Sequence, residues 1–354
     1  MVGRGEPDRS ASVDIERHEL KAVARVSLVR FQGAVLDSKD YSSIVEGLPR
    51  GRTLFHYFKD RYALMLLGDA ANRGCSVATL KSTRFRSLLK KPLVRKVLSS
   101  STGQLNRHDF QAFWVEPYVT FRLSVGQWPP RGQRWCRWSH QMARPGCNLV
   151  LQLNLCRSHV RKLEDMLGLT RDNLLEWNGH PIAAAPEFTL SWARIDYDAE
   201  RQEALIEEIQ SDWIRDVADM VKDNDEGIRK IWRQYREDAL QAYLPIWSEA
   251  TLAACLSFLQ QELKVRRIFY YTFKAGNCLK RIRRYQPPRS LYEDLPRRFC
   301  FQRTHNGPLF LRDAQARPVR NKIQDPRMQW FRFDVQAAED SIVRRTAAAV
   351  IRRR

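Results

Sequence analysis

The segment 203–213, EALIEEIQSDW, holds the densest set of side chains able to do chemistry in this 354-residue chain. If it forms a β-strand, alternation puts Glu208, Gln210 and Asp212 together on one face. Acidic and amide groups on an otherwise apolar strand are costly to bury without partners, and such groups converge at functional sites. Desolvation would raise the pKa of a clustered carboxyl, so Glu208 is a candidate general base. The alternative interpretation is a solvated sheet face with no chemical role.

A second polar strand face lies upstream in NLVLQLNL, at 148–155. Its leucines share one face of the predicted strand, while Gln152 and Asn154 lie on the other. If this strand pairs with 203–213, four or five polar groups converge on one sheet surface, as they do in binding and active sites.

The elements around these segments predict a mixed-sheet α+β domain. FTLSWARIDYD at 188–198 and the strand at 203–213 are close enough to form a hairpin across 198–202. A helix at 247–264 carries an apolar stripe, has Ser248 as a plausible N-cap, and leads directly into the strand RRIFYYTF. We therefore predict an α+β domain over 148–312, with a charged helical insert at 214–245.

Three polar residues follow the strand RRIFYYTF and are candidates for binding an anion: Lys274, Asn277 and Lys280. In α/β folds, ligand contacts lie at the carboxyl ends of strands, which is the position of these residues. The alternative interpretation is the ordinary polarity of a loop.

The run LIEEIQSDW resembles the signature of a domain found in large polyvalent proteins of phages and mobile elements. In those proteins it is followed by a charged insert, a Trp-led helix, a strand and a tyrosine-containing segment. The same order occurs here over about 200–302, where the last segment is LYEDLP. The histidine that commonly follows the tryptophan of the signature is Ile214 in this chain, so a role for that histidine does not carry over.

The same order of elements also resembles the second half of a GNAT acyltransferase, with LYEDLPRRFCF similar to the closing LYxxxGF of that fold. In that family a thioester cofactor lies between two splayed strands, and its pyrophosphate lies at a helix N-terminus. The resemblance implies that 204–212 and 267–273 are these strands, that the helix begins near Ser248, and that acetyl-CoA or another acyl-CoA binds. Tyr292 then falls where a tyrosine protonates the leaving thiolate, and Glu208 near the position of a base. The glycine-rich pyrophosphate loop of the family is absent, since PIWSEAT precedes the helix.

The net charge of +20 is unevenly distributed along the chain. Residues 51–100 carry eleven Lys or Arg and two acids, and residues 280–354 carry nineteen Lys or Arg and seven acids. Residues 190–240, by contrast, carry eight Lys or Arg and fourteen acids. Two basic regions therefore flank an acidic middle. This asymmetry favours an anionic partner, of which nucleic acid is the commonest; an arginine-rich surface without such a partner is the alternative.

The first basic region has the element order of a winged helix. A helix at 56–72 precedes two short basic helices that are broken before Pro92, and the aromatic, alternating stretch at 108–125 predicts a pair of strands. We expect a winged-helix-like basic domain over 21–126. Its candidate phosphate contacts are Lys81, Arg84, Arg86, Lys90, Lys91, Arg95 and Lys96.

The remaining segments are predicted to be less regular. Residues 1–20 are polar and are predicted to be disordered. The stretch 127–147 is a linker rich in Trp and Arg, whose tryptophans either stack on bases or form a hydrophobic clasp between domains. Residues 313–354 form a basic C-terminal tail.

Cysteine usage and hydropathy limit the class of protein. The seven cysteines are irregularly spaced and include no Cys-x-x-Cys, which argues against a disulfide framework and a zinc site. His159 and His180 have no ligand-like spacing to each other or to carboxylates, so no metal site is predicted. No apolar run reaches the ~20 residues of a membrane span, and no leader is evident, so we expect no membrane association and a cytoplasmic protein.

Two functions therefore remain open from the sequence. The first is acyl transfer by a GNAT-like domain to an unidentified acceptor. The second is nucleic-acid binding through the basic region, with a non-catalytic GNAT-like domain. A mobile-element enzyme of another chemistry, such as nucleotidyl or ADP-ribosyl transfer, is a weaker third interpretation, because no arginine–serine–glutamate set stands out.

Overall fold

The chain folds as a mixed α+β structure, as the sequence predicts. The computed structural model describes residues 36–48, 53–101, 103–130, 142–144, 146–168, 180–182, 188–284, 286–312, 325 and 327–335. The segment predicted to be disordered, 1–20, lies outside these residues, as do most of the predicted tail and residues 131–141 of the predicted linker.

A large mixed sheet organises the described chain. Its eight strands lie in the order β1-β4-β5-β6-β7-β8-β10-β9, and β2 and β3 form a separate short ladder. Neighbours from β1 to β7 are antiparallel, β7 and β8 are parallel, and a helical crossover joins those two strands. The strand bounds are Leu54–Tyr57 (β1), Cys75–Ser76 (β2), Gln104–Leu105 (β3), Val119–Trp128 (β4), Asn148–Asn154 (β5), Thr189–Asp198 (β6), Glu203–Gln210 (β7), Arg267–Tyr271 (β8), Gln302–Thr304 (β9) and Trp330–Asp334 (β10).

The helices connect and cover these strands. Their bounds are Ser38–Gly47 (α1), Arg61–Ala70 (α2), Val77–Lys81 (α3), Pro92–Ser99 (α4), Arg107–Gln111 (α5), Arg157–Leu167 (α6), Asp212–Met220 (α7), Glu226–Tyr235 (α8), Trp247–Ser257 (α9), Phe273–Leu279 (α10), Arg289–Tyr292 (α11), Asp294–Arg298 (α12) and Leu309–Arg312 (α13). A 3-10 helix spans Arg84–Lys90, and single π-helical turns follow α8 and α9. Residues 214–245, predicted to be a charged helical insert, contain most of α7, the whole of α8 and the π-helical turn that follows α8.

Helix α9 covers the apolar face of the central strands. Leu252, Cys255 and Leu256 are buried, and Thr251 shares a hydrogen bond of 2.7 Å with Ser191 of β6. Burial on nearly every side is the pattern of a helix enclosed in a core. The prediction that Ser248 caps this helix is wrong: the N-cap is Ile246, and no side chain caps the helix. The turns before the helix already satisfy its first amides, because the Trp247 N–H donates to the Tyr243 carbonyl at 2.9 Å.

Strand β7 contains an irregularity that changes which side chains meet. Its register with β6 shifts by one residue, so that Arg194 faces Glu208 while Ile195 faces Ile206. Glu207 is therefore the extra residue of a β-bulge, a feature that redirects side chains. Simple alternation puts Glu207 and Glu208 on opposite faces, but both carboxylates reach Arg194, at 3.3 and 3.0 Å.

The strand predicted at 203–213 ends earlier than expected. It stops at Gln210, and Ser211 caps α7 by accepting from the Ile214 N–H at 3.1 Å. Asp212 therefore lies in the first turn of a helix rather than on a strand. The predicted hairpin with 188–198 is confirmed. Strand β6 lies between β5 and β7, so the two polar strands are not direct neighbours.

The winged-helix-like module is not confirmed. The helix predicted at 56–72 is divided into β1 and α2, because residues 54–57 pair with β4. The predicted strand pair at 108–125 contains helix α5, which begins in a capping box between Asn106 and Asp109, and a single strand, β4. Since β1 and β4 belong to the eight-stranded sheet, this region is continuous with the rest of the fold.

Two segments predicted to be irregular contribute to the sheet or its core. Residues 330–334 of the predicted tail form β10, an aromatic-rich strand that lies between β8 and β9 and pairs with both. Trp128, at the start of the predicted linker, ends β4 and packs against Val150 and Trp192. Among the residues that the structure describes, no helix has the length and apolarity needed to cross a membrane.

Candidate functional site

The face of the central sheet opposite α9 is polar across three neighbouring strands. Gln152, Trp192 and Gln210 are successive cross-strand partners on β5, β6 and β7. The Ser124 hydroxyl donates to Gln152 Oε1 at 2.7 Å. A Cβ on Gly126 would lie 2.9 Å from Gln152 Nε2, so the glycine gives this side chain its room. Gln152 and Gln210 therefore lie on one face with Trp192 of β6 between them, whereas Asn154 bonds to Ser124 and Thr189.

Asp212 is the centre of one group on this face. Its side chain is 4% exposed, and its carboxylate contacts His180 Nδ1 at 2.8 Å and accepts from Trp192 Nε1 at 2.9 Å. Arg215 and Gln210 also donate to it. Burial raises the pKa of Asp212, but the hydrogen bonds from His180, Trp192 and Gln210 outweigh burial and hold the pKa below its usual value. The residue is therefore a buried, well-partnered carboxylate.

His180 is a candidate site residue that the sequence did not indicate. It lies 32 positions from Asp212, and no motif links the two. Gln210 Nε2 lies 3.2 Å from His180 Nδ1, and the rings of His180 and Trp192 are perpendicular, with centroids 6.1 Å apart. An imidazole whose Nδ1 contacts a buried carboxylate is oriented for proton transfer through its other nitrogen, Nε2. The sequence holds no local signal that would have identified this pair.

Glu208 is the centre of a second group. Its carboxylate accepts from Lys280 Nζ at 3.0 Å and from Arg194 at 3.0 Å. Burial raises the pKa of Glu208, but the charges of Lys280 and Arg194 exceed that effect, and the pKa is lowered. The expectation that desolvation raises this pKa is wrong, because two buried cations stabilise the ionised form. Lys280 is itself buried, and desolvation lowers its pKa.

More buried charges lie next to Glu208: its neighbour Glu207, Asp196 on β6, and Arg144. Glu207 accepts from the Ala143 N–H at 2.7 Å, and the neighbouring Arg144 forms an ion pair with Asp196 at 2.9 Å. Burial raises the pKa of Asp196 to about 7, against the lowering effect of Arg144, and burial also raises the pKa of Glu207. These contacts fix residues 142–144 over the sheet.

Two tyrosine hydroxyls beside the second group lack a partner. The hydroxyls of Tyr271 and Tyr292 are buried, and neither forms a hydrogen bond within the described part of the chain. Lys280 Nζ lies 5.9 Å from the centroid of the Tyr271 ring and 5.8 Å from that of Tyr292. Burial raises the pKa of both phenols well above the usual value, so both remain protonated. Asn277 Oδ1 is likewise buried and unpaired within the described chain.

Both groups lie near the point where the pairing of β7 with β8 ends. Strands β7 and β8 pair over 203–206 and 267–270. Beyond the bulge at Glu207, β7 pairs only with β6, whereas β8 ends at Tyr271 and continues into α10. Glu208 and Gln210 therefore lie beyond the last residue pair that β7 forms with β8, and Tyr271 is the last residue of β8.

The N-terminus of α9 already holds a negative charge. Glu249 lies in its first turn, and its buried carboxylate accepts from Lys59 Nζ at 2.9 Å, from the Asp60 N–H at 2.8 Å and from Arg298. A carboxylate favours the positive end of a helix dipole and repels a phosphate from it. Ser248, the residue beside it, does not fit a pyrophosphate contact.

The structure divides the sequence-predicted residues into three sets. Glu208, Lys280 and Tyr292 lie together, and Gln210 and Asp212 join His180. Lys274 is exposed in the first turn of α10, at the carboxyl end of β8. Within the described residues, neither Lys274 nor Ser248 contacts either group.

The seven residues predicted to contact phosphates differ in burial and in whether an acid pairs with them. Arg84 is held inside the fold, where it donates to the Asp334 carbonyl at 2.8 Å and lies 4.1 Å from the centroid of the Phe333 ring. Lys91 forms an ion pair with Asp60 at 2.8 Å. The other five are exposed and have no acidic partner among the described residues: Lys81, Arg86, Lys90, Arg95 and Lys96.

In the part of the chain that the structure describes, no three His, Cys, Asp or Glu side chains are grouped to hold a metal ion. Comparison of the chain with protein families, with curated proteins and with solved structures finds no match. The site is therefore interpreted from its own geometry.

Proposed function

We propose that the protein is an acyltransferase-type enzyme that moves an acyl group from a thioester such as acetyl-CoA to an unidentified acceptor. The observation that carries the proposal is the end of the pairing between the parallel strands β7 and β8 at the bulge of Glu207, beside buried polar groups that have no hydrogen-bond partner among the described residues. A GNAT-like fold receives its thioester where two neighbouring parallel strands stop pairing. The resemblance of EIQSDW further suggests that the enzyme serves a mobile element.

His180 and Asp212 supply the base in this proposal. Asp212 lies 2.8 Å from His180 Nδ1 and stays ionised, because its hydrogen bonds lower its pKa. It therefore orients the imidazole and stabilises the imidazolium that forms when Nε2 takes a proton from the acceptor. Glu208 has the different role of balancing Lys280 and Arg194, since a carboxylate bound to two cations is a weak base.

Tyr292 supplies the acid. Its buried hydroxyl has no partner among the described residues, and its raised pKa keeps the proton in place at neutral pH. When the acceptor attacks the thioester carbon, the bond from carbon to sulfur breaks and the sulfur leaves as a thiolate. Tyr292 donates its proton to that sulfur. The proton that His180 took from the acceptor then returns to Tyr292 through solvent, so both side chains regain their starting protonation states.

The two ends of an acyl-CoA fit this chain unequally. The unpaired hydroxyls of Tyr271 and Tyr292 fit the thioester end, where hydrogen-bond donors are needed. The end of α9 does not fit the pyrophosphate, because Glu249 occupies it. The proposal therefore assigns phosphate recognition to Lys274, the exposed cation at the carboxyl end of β8.

Calorimetry with acetyl-CoA and CoA, followed by measurement of thiol release, tests this function. We expect wild-type protein to bind acetyl-CoA and to hydrolyse it slowly when water is the only acceptor. Tyr292→Phe should retain binding, and both Tyr292→Phe and Asp212→Asn should lower thiol release roughly 100-fold. The matched control is Asp219→Asn on the same helix as Asp212, since Asp219 is 71% exposed and should leave both measurements unchanged. Absence of binding heat with either ligand contradicts the proposal.

A second candidate function, nucleic-acid binding, is supported by the surface between α2 and α5. Residues 70–108 contain nine Lys or Arg and no Asp or Glu. Of the seven predicted phosphate contacts, five are exposed and lack an acidic partner within the described chain. Unpaired cations at this density attract a polyanion through counterion release, without base specificity. Binding to DNA that weakens steeply with added salt supports this function, and affinity that does not change with salt contradicts it.

A further inference from the structure

An exposed aromatic cluster packs against the edge strand β1, outside both sites described above, and its two exposed rings belong to residues 112–118, between α5 and β4. Trp114 and Tyr118 are 40% and 41% exposed, and their ring centroids are 5.3 Å apart at an angle of 74°. His56 of β1 packs edge-on against both rings, at 6.1 and 5.3 Å. Two exposed aromatic rings in mutual contact form a small apolar patch, and interaction sites are enriched in such rings.

The cluster is held rigidly from beneath. The Arg61 guanidinium lies 4.8 Å from the centroid of the Trp114 ring and donates to the His56 carbonyl. Phe58 packs edge-on against Trp114, with centroids 5.4 Å apart, and His56 Nδ1 lies 2.8 Å from the Thr120 hydroxyl. A ring fixed in this way loses little conformational entropy when a ligand covers its outer part.

This cluster adjoins the basic surface. Two consecutive residues at the start of α2 connect them: Arg61 contacts Trp114, while Asp60 accepts from Lys91 Nζ at 2.8 Å. Lys91 is the N-cap of α4, whose exposed face carries Arg95 and Lys96. Arg95 and Lys96 lie about one turn along α4 from Lys91, which contacts the segment that carries Arg61.

We propose that Trp114 and Tyr118 form a stacking platform for the bases of single-stranded nucleic acid, whose phosphates follow the adjacent cations. This inference rests on the second candidate function and specifies its ligand. Single strands present free base faces that stack on aromatic rings, whereas the bases of a duplex already stack on one another. Cations beside exposed rings are the combination that single-strand binding requires, and a purely electrostatic surface needs no such rings.

One acidic side chain opposes the ligand. Glu116 is exposed between the two rings in sequence and is the one acid in residues 114–118. Its charge repels phosphates near the platform, so Glu116→Gln should tighten binding modestly, by less than about tenfold.

Fluorescence anisotropy of full-length protein with two labelled strands tests the proposal. One strand is an oligothymidylate of about 20 nucleotides, and the other is an abasic oligomer with the same number of phosphates. We expect Trp114→Ala and Tyr118→Ala to weaken oligothymidylate binding roughly tenfold each and to leave abasic-strand binding unchanged. Trp114→Phe keeps a ring and should retain most of the affinity. Ile228→Ala, which changes a side chain of similar exposure on α8, is the matched control.

The results separate this proposal from the function on which it rests. Equal affinity of wild type, Trp114→Ala and Tyr118→Ala for oligothymidylate overturns the platform and leaves electrostatic binding intact. Equal weakening on both strands also overturns it, because the rings then act through the fold and not through bases. If wild type binds neither strand, the second candidate function and the platform fail together.

Discussion

Two regions of this protein are rich in charged side chains, and the fold treats them in opposite ways. Around β7, four carboxylates and three cations form two networks of ion pairs in the interior: Arg144 with Asp196 and Asp198, and Arg194 and Lys280 with Glu207 and Glu208. On the surface between α2 and α5, the cations are mostly exposed and unpaired within the described chain.

The difference reflects the cost of removing a charge from water. An interior charge needs a nearby opposite charge and hydrogen bonds, so each charged side chain around β7 is held beside one of opposite sign. An exposed cation is stabilised by solvent, so its position matters little to folding and its field remains available to a partner. We therefore expect the interior cluster to dominate stability and the surface to dominate association.

Removal of a buried cation should have the largest effect on the free energy of unfolding. Arg194 is 3% exposed at its side chain and contacts both Glu207 and Glu208. Arg194→Met leaves these carboxylates short of a partner, so the free energy of unfolding should fall by about 3–5 kcal/mol. Chemical denaturation measures this loss of unfolding free energy. The same substitution at exposed Arg86 should change it by less than about 0.5 kcal/mol, and equal losses at both sites would refute the distinction.

A double-mutant cycle tests whether the buried charges of Lys280 and Glu208 stabilise each other. Lys280→Met and Glu208→Gln should each destabilise the fold, because each leaves a buried charge without its partner at 3.0 Å. The double variant removes both charges, so its loss should be smaller than the sum of the single losses by about 1–3 kcal/mol. Strict additivity in denaturation experiments would show that the two side chains are not coupled.

The titration of Asp196 offers a third test. Burial raises its pKa from 3.8 to about 7 in the folded chain. The folded state thus keeps a proton that the unfolded state releases near pH 4, and lowering the pH from 8 to 5 favours folding through this group. Other groups titrate as well; in particular, burial lowers the pKa of His159 to about 4, which opposes folding in acid. The informative quantity is therefore the stability of wild type minus that of Asp196→Asn.

That difference should increase by about 1 kcal/mol or more between pH 8 and pH 5. Denaturant titrations of both proteins at each pH supply it. A difference that stays constant, or that decreases on acidification, would show that Asp196 is ionised in the folded protein throughout this range.

The smallest effect on stability, and a large effect on binding, should come from the basic surface. Replacing Lys90, Arg95 and Lys96 by Glu should change the free energy of unfolding by less than about 1 kcal/mol, because all three are exposed. The slope of log affinity for a nucleic acid against log salt should become shallower by about 2–3, since up to three phosphate contacts are lost. An unchanged slope would place nucleic-acid binding elsewhere or exclude it.

The sequence by itself determined the central strands and the helix that covers them. Alternation in NLVLQLNL and in the hairpin of 188–198 with EALIEEIQ, and the apolar stripe of 247–264, are local patterns that depend on near neighbours in sequence, and β5, β6, β7 and α9 follow them. The polar face carrying Gln152, Gln210 and Glu208 was predictable for the same reason. The sequence also showed the excess of Lys and Arg over acids at 51–100.

Only the tertiary structure decided which charges pair and what their chemistry is. His180 meets Asp212 across 32 residues, Lys280 meets Glu208 across 72, and Arg84 meets the Asp334 carbonyl across 250. The pKa of Glu208 is lowered rather than raised because of such distant partners, and the bulge at Glu207 brings both carboxylates to Arg194. Residues 54–57 and 330–334 became strands because edges of the sheet were free to pair with them. Secondary structure follows from neighbours along the chain, whereas the electrostatics of a site follow from neighbours in space.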